Sequence, residues 1–406
     1  RRMCGQNLRH VGDRVAAVVA ESEEIALAAL ALIDVEYQVL KPVMSIDEAM
    51  AEGAPLVHDE PIVYVHGAPD DLAEQNQGSA QRGTEHVTIN FPIGAKPHSN
   101  IAAAVHGRIG NVEQGFAEAD VVLERTYESK QVQQCPAETH VCYTYMDGDR
   151  LVIHASTQVP WHLRRQVARI VGLKQHKVHV IKERVGGGFG SKQDILLEEV
   201  CAWATCVTGR AVYFHYTREE EFISNTSRHV AKVWVKIGAK KDGRLTAIDM
   251  NFLANTGPYG NHALTVPSNG PALSLPLYPC DNVNFQVTTY YSNICPNGAY
   301  QGYGAPKGNF ALTMILAEMD PLDIIERNRV VEGQELKILG AIGEGKMPTS
   351  VPSAASCALE PILRKGRELI QWSSPKVSQG DWQIGRGVAI IMQKSGIPDI
   401  DQANCM

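Results

Sequence analysis

Three consecutive glycines, followed by Phe189 and Gly190, stand where a β-branched run ends and a helical pattern begins, and this junction constrains the fold more than any other stretch. From Val178 the chain reads VHVIKERVGGGFGSKQDILLEEVCAWATCVTG. Val178, Val180, Ile181 and Val185 predict a strand. Leu196, Leu197, Val200, Cys201, Trp203 and Ala204 recur at three- and four-residue spacing and predict a helix. Glycines between such elements let backbone N–H groups approach an anionic or oxo-bearing ligand, because no Cβ intervenes and positive φ is unstrained. The common nucleotide loops are excluded. A P-loop needs G-x-x-x-x-G-K-[ST], and no glycine stands in that register before Lys192. Gly186, Gly188 and Gly190 give G-x-G-x-G, where a dinucleotide fingerprint needs G-x-G-x-x-G. A tight connection packing helix on strand is the plain alternative.

At 406 residues the chain exceeds one ordinary core, so two or three domains are expected. The net charge of -7, with both signs interspersed and no basic run, argues against a nucleic-acid partner. The nine cysteines are scattered and include no C-x-x-C pair. That speaks against a zinc site or an iron–sulfur cluster carried by this chain and fits a reducing compartment. No apolar run has membrane-spanning length and no signal-peptide pattern is present, so no membrane partner and a cytoplasmic location are expected. The chain begins at Arg1 and stops at Met406 inside what reads as a strand, so both ends read as cut from something longer.

In order, residues 14–20 predict a buried strand, Ser22 an N-cap, residues 25–33 a helix, and alternating Val35, Tyr37 and Val39 a second strand. Ser45 and Glu48 form a capping-box pattern. Residues 53–100 are rich in Pro, Gly, Asp and Gln and read as a surface linker. Beyond them come a helix at 112–118, a strand at 121–127 and a helix at 164–171. Strands at 230–237 and 244–253 are joined by Lys241-Asp242-Gly243, a hairpin signal. A β-rich run covers 285–291, and a second glycine-rich loop, PNGAYQGYGAPKGNF, precedes a helical stretch at 310–316. Residues 333–380 read as loop with an amphipathic stretch at 362–370, and 384–392 as a further strand.

Taken together, AETHVCYTY, STQVPW, RVGGGFGSK, TREEEF…RH and NGAYQGYGAPKG resemble, in the right order, the molybdopterin-binding subunit of the molybdenum hydroxylases, the xanthine dehydrogenase and aldehyde oxidase family. The bacterial xanthine dehydrogenases are the nearest likeness. VGDRVAAVVAESEEIALAALALIDVEY resembles the end of that family's small N-terminal domain, and DWQIGRGVAIIM the opening of its second cofactor domain. The resemblance implies a mixed α/β (α+β) fold. Residues 1–60 would be a remnant of an α/β hammerhead-type domain, 61–105 a linker, 106–335 the first molybdopterin-binding domain, and 336–406 a linker and the start of the second.

It also implies molybdenum-dependent hydroxylation of a carbon in an N-heteroaromatic ring, such as a xanthine- or hypoxanthine-like purine. The cofactor would be molybdenum-molybdopterin in its cytosine dinucleotide form, with FAD and 2Fe-2S clusters on partner subunits. Gln158 would donate an amide N–H to an oxo group of the metal, beside Phe189 and Gln301, with the backbone of Gly187, Gly188 and Gly190 along the cofactor. Gln301 stands where many relatives carry arginine, and so brings no fixed charge or bidentate fork. Gln193, Asn269 and Tyr303 would face substrate. A glutamine at 193 can both donate and accept, which favours a polar ring over a simple aldehyde, and Tyr303 offers a flat face for stacking. The loop lacks the cysteine of the copper-bridged carbon monoxide enzymes.

No catalytic residue is assigned in this chain, since the family's general-base glutamate belongs to the second cofactor domain, expected beyond Met406. Arg218, Glu219, Glu220, Arg228 and His229 read as an ion network or exposed charge, and His140 as a core histidine. After Phe310 the helical run looks several residues short for the family. The alternatives are a non-catalytic fragment lacking that glutamate, and a hydroxylase for another heterocycle or an aldehyde.

Overall fold

Two helix-backed sheets organise the chain. In the larger, β10 (Ala231–Ala239) and β11 (Leu245–Gly257) form the long hairpin that the Asp242-Gly243 pair predicts. Gly243 has φ +86° and Lys240 closes the turn by donating its N–H to Arg244 O at 2.8 Å. Side chains along β10 alternate between buried and half-buried, as a strand with one face on a core requires. The full order is β3 (Ile101–Ile109), β12 (Val283–Tyr291), β11, β10 and β4 (Val121–Ser129), antiparallel except for the β11–β12 pair. That parallel pair needs a crossover, which the helix Thr265–Ala272 supplies. Phe252, Met250, Ile248 and Phe285 pack here against Leu312 and Ile315 of the helix Ala305–Leu316 and Ile325 of the helix Pro321–Asn328.

The smaller sheet runs β7 (Val178–Ile181), β6 (Arg150–Ala155), β5 (Val141–Asp147), β8 (Val212–His215), with β6 and β7 parallel. Their crossover is the helix Pro160–Val171, which has proline at its first turn and ends at Gly172 with φ +74°. It buries Leu163, Val167 and Ala168 on the sheet, beside the helix Glu198–Thr208. Two short pairs, β1 (Tyr64–His66) with β2 (Val87–Ile89), and β9 (Ser227–Arg228) with β13 (Asn297–Gly298), complete the strands among the described residues. The computed structural model describes residues 7–58, 64–66, 87–89, 95–96, 98–316, 320–340, 351–375 and 380–392.

Several expectations are corrected. Residues 14–20 and 35–39 form no strand, and residues 7–42 contain no buried position; only the helix Glu23–Leu30 forms, capped by Ser22. Apolar alternation makes a strand only where another strand takes up its N–H and C=O groups, and no such partner lies beside these segments among the described residues. Residues 384–392 likewise form no strand. The Ser45 cap accepts from Glu48 N at 3.1 Å, but the Glu48 carboxylate reaches back to Met44 N at 2.7 Å, one residue earlier than a capping box requires. β3 begins at Ile101, so the last residues of the stretch read as a linker belong to the large sheet; much of 61–105 lies outside the described residues. Trp203 is 39% exposed, and Leu196 and Leu197 are buried ahead of the helix they were read into. The helix expected from 310 starts at Ala305, and Asp320 caps the next one through Leu322 N and Asp323 N.

Phe252 is fully buried at the centre of the larger core. Phe252→Ala should destabilise the protein by about 3–5 kcal/mol, read as a lowered urea midpoint.

Candidate functional site

The site begins where β6 runs out into Ser156, Thr157 and Gln158. The N–H of Gln158 donates to Lys192 O at 2.8 Å, which ties this strand end to the segment following the glycine loop. Gly190 N in turn donates to Gln158 Oε1 at 3.0 Å. The carbonyl end of the Gln158 side chain is therefore committed, and its NH2 end remains as a donor on an exposed residue.

The loop itself is possible only with glycine at two points. Gly190 has φ +105°, and a Cβ there would come within 2.5 Å of Ala299 O. A Cβ on Gly188 would come within 2.5 Å of Gln158 Oε1. Between them Phe189, a residue 52% exposed, sits at φ +53°, a strained backbone for an aromatic residue.

The second glycine-rich loop docks on the first. Gln301 N donates to Phe189 O at 3.0 Å, Tyr303 N to Tyr300 O at 2.7 Å, and the buried Gln134 side chain donates to Ala299 O at 2.8 Å. The Arg228 guanidinium lies 3.9 Å over the Tyr300 ring. Gln158, Phe189 and Gln301 are thus exposed residues standing above the buried Gly188, Gly190 and Ala299. Asn269, on the helix Thr265–Ala272, reaches the same loop from the other side, where a Cβ on Gly304 would lie 3.2 Å from Asn269 Cβ.

Beneath both loops lies a clamp that sequence reasoning missed. The Lys192 side chain is fully buried and its Nζ donates to Glu138 Oε2 at 2.7 Å, Glu138 O at 2.8 Å and Ser156 Oγ at 2.8 Å. Ser156 Oγ and Gly186 N also donate to the Glu138 carboxylate. Burial alone would raise that carboxyl, but the bonds from Lys192, Ser156 and Gly186 outweigh it and hold it below the ordinary value. The only hint in the sequence was a charged residue inside each of two otherwise apolar or glycine-rich motifs.

A second missed group bridges the loops beside Tyr303. His262 Nδ1 lies 2.5 Å from the Tyr303 hydroxyl, which is also 2.8 Å from Thr265 Oγ1. His262 Nε2 faces Asp194 Oδ1 at 3.8 Å, and that carboxylate accepts from Thr226 Oγ1 at 3.0 Å and Asn261 Nδ2 at 3.2 Å. Burial pushes the Asp194 carboxyl up, against His262 and Thr226. Gln193 and Asp194 open onto a cavity of about 270 Å³ that His162, Asn261 and Glu199 also line. Burial pushes Glu199 up to about 7 despite its ion pair with Arg14.

Of the charged segment, Glu220 completes a capping box with Thr217, and Arg218 donates to Pro136 O at 2.6 Å. His229 departs from the ion-network reading: it is fully buried, and burial holds its imidazole well below the ordinary value. His140 is a core histidine, with Nδ1 2.9 Å from the buried Glu221 carboxylate. Among the described residues no group of three or more His, Cys, Asp or Glu is placed to hold a metal ion. A metal at this surface would take its ligands from a cofactor, with amides of the chain around it.

The folded Glu138 pKa lies below its unfolded value, so the clamp's contribution is present above the ordinary carboxylate range and is lost as pH falls through the folded value. Glu138→Gln should lower the thermal midpoint at pH 7 by about 5 °C, because Lys192 loses its counter-charge. Melting curves across pH should show that difference shrinking below about pH 4.

Residues 94–329 match the molybdopterin cofactor-binding domain family, and residues 1–41 match the aldehyde oxidase and xanthine dehydrogenase a/b hammerhead domain. The chain is 81% identical over 412 residues to a probable hypoxanthine oxidase, XdhD, of Escherichia coli (strain K12), covering 100% of this chain and 43% of that protein. To the putative xanthine dehydrogenase molybdenum-binding subunit XdhA of the same organism it is 30% identical over 401 residues, covering 96% and 47%. The chain spans under half the length of these curated relatives. The crystal structure of the aldehyde oxidoreductase from Desulfovibrio desulfuricans superimposes with TM-score 0.72 at 23% identity, over 90% of this chain and 36% of that one. That likeness extends to the fold.

Proposed function

The chain belongs to the xanthine dehydrogenase and aldehyde oxidase family of molybdopterin-binding proteins, and we propose that it forms one wall of a molybdenum hydroxylase site acting on a purine-like N-heteroaromatic ring. One observation carries this reading: Gly190 N on Gln158 Oε1 and Gln301 N on Phe189 O tie a strand end and two glycine loops into a single exposed surface. The residues present fit the cofactor. A Cβ at Gly190 would fill the space the two loops share, one at Gly188 would press on the Gln158 side chain, and the outward donor at Gln158 is a neutral amide.

When bound, the molybdenum cofactor supplies a centre able to accept two electrons from substrate; the chain supplies the surroundings. Gln158 would offer its NH2 to the cofactor as a hydrogen-bond donor and adds no titrating charge. Phe189, exposed on the same surface, would pack against the cofactor and limit the access of water to it. Gln301 offers an amide where a guanidinium would fix a positive charge. Gly187, Gly188 and Gly190 let the backbone lie close to the pterin. On the substrate side Tyr303 presents its ring for stacking, Gln193 can both donate to and accept from ring nitrogens and exocyclic oxygens, and Asn269 adds a second amide.

Residues 106–335 are taken as the first cofactor domain, 1–60 as part of the hammerhead domain and 336–406 as the approach to the second. The full protein would carry molybdopterin cytosine dinucleotide and work in the cytoplasm with FAD and 2Fe-2S subunits. The names of the two Escherichia coli relatives support a purine substrate. Among the described residues no helix is long and apolar enough to cross a membrane.

The full-length protein, expressed with its partner subunits, should contain stoichiometric molybdenum and pterin and oxidise hypoxanthine with an artificial electron acceptor. Gln158→Ala should keep the metal and lower kcat by about 100-fold, whereas Gly190→Ala should reduce molybdenum content by about tenfold or more through backbone strain. A wild-type protein free of molybdenum and pterin would remove the assignment.

A further inference from the structure

The helix Ala305–Leu316, which runs on from the second glycine loop, carries a lysine in its first turn. Lys307 is 5% exposed, and among the described residues no oxygen accepts a hydrogen bond from its Nζ. Lys192, the other lysine buried to this degree among the described residues, has three acceptors around its ammonium. The Lys307 backbone N–H donates to Gly304 O at 3.2 Å, so the residue stands directly behind the loop.

Its charged neighbours are cations. Arg228 repels the Lys307 ammonium, and its own guanidinium lies 3.9 Å over the Tyr300 ring, on the loop. The fully buried His229 is repelled by Lys307 in turn. No carboxylate acts on Lys307 or Arg228, and neither makes an ion pair among the described residues. Burial first and Arg228 second push the Lys307 ammonium down to about 7. A buried cation without a partner is costly, and an apolar side chain of the same length would cost the fold less. The fold therefore keeps a positive charge behind the second loop that the chain does not cancel. On the loop's outer side stands Gln301, exposed and uncharged.

We propose that Lys307, with Arg228 beside it, is an electrostatic anchor for the molybdenum cofactor, supplying from behind the loop the positive charge that Gln301 does not supply at its surface. This rests on the cofactor placement proposed above. That cofactor carries thiolate and phosphate groups and is anionic. In a medium of low dielectric constant a charge acts well beyond hydrogen-bond distance, and salt screens a buried charge little. Backbone N–H groups and neutral amides orient such an anion, while the buried cation adds attraction at longer range. The two buried lysines differ in consequence. Lys192 is neutralised within the chain and fixes the first loop; Lys307 is left to be neutralised by what binds.

Two comparisons on the full-length protein with its partner subunits test this. The first uses protein made in a host unable to synthesise molybdopterin. There Lys307→Met, of similar length and without charge, should raise the thermal midpoint, because an unmet buried charge has gone. A lowered midpoint would show that the chain itself uses the charge, and would overturn the proposal. The second uses cofactor-loaded protein. Lys307→Met and Lys307→Gln should both release pterin at least about tenfold faster than wild type, the scale of removing one partner of a buried charge pair. Both should also move the molybdenum midpoint potential in the negative direction, read by EPR-monitored titration, since an added electron is less stable once a positive charge is removed. Release at the wild-type rate, or an unchanged potential, would refute the anchoring role. Wild-type protein free of molybdenum and pterin would instead remove the cofactor assignment on which this rests. Loaded wild type whose two variants keep both cofactor and potential would sink this inference alone.

Discussion

A lysine ammonium with no access to water has to be met by oxygen, and the geometry of that demand shapes everything above it. Lys192 satisfies it with the Glu138 carboxylate, the Glu138 carbonyl and the Ser156 hydroxyl. Those acceptors come from the entry to β5 and the exit of β6, so one buried charge fastens the segment after the glycine loop to two neighbouring strands. The same carboxylate takes the N–H of Gly186, which fixes the start of the loop. Desolvating an ion pair is costly, and such a pair is weak evidence for stability by itself. Its consequence here is register: with both ends of the loop fixed, Gly190 has little choice but to present its N–H to Gln158.

From that register the second loop follows. Gly190 approaches Ala299 so closely that no side chain would fit, and the Phe189 carbonyl is left to receive Gln301 N. The parallel pairs of both sheets bring these parts to one place. The crossover Pro160–Val171 starts just after Gln158, and the crossover Thr265–Ala272 starts just after His262. Each sheet thus delivers one polar side chain at the beginning of a crossover helix, where the chain leaves a strand and a side chain can face a neighbouring loop. Strain at Phe189, His262 and Tyr303 gathers at the same spot and is held by the hydrogen bonds around it.

Much of this was legible beforehand, and for identifiable reasons. The hairpin around Asp242-Gly243 is a local event, since turn chemistry and alternation both lie within a few residues. The glycine loops were legible as loops because a run of residues without Cβ has few other uses. Helix starts were read late wherever proline or glycine stood in the first turn, as with Pro160 and with Pro306 and Gly308 of the helix Ala305–Leu316, because those residues suppress the periodic signal the reading depends on. Residues 14–20, 35–39 and 384–392 failed as strands for a different cause: their apolar pattern was real, but the pattern carries no information on whether a partner edge is present.

What the sequence by itself determined was the inventory: an amide at 158, two glycine loops with an aromatic in each, and a polar residue at 193, each specified by residue type and short-range spacing. What only the tertiary structure decided was who meets whom. The pairing of Lys192 with Glu138, and of His262 with both Asp194 and Tyr303, joins residues separated by 54, 68 and 41 positions. No periodicity spans such gaps, because these contacts arise from the crossing of two sheets and their loops.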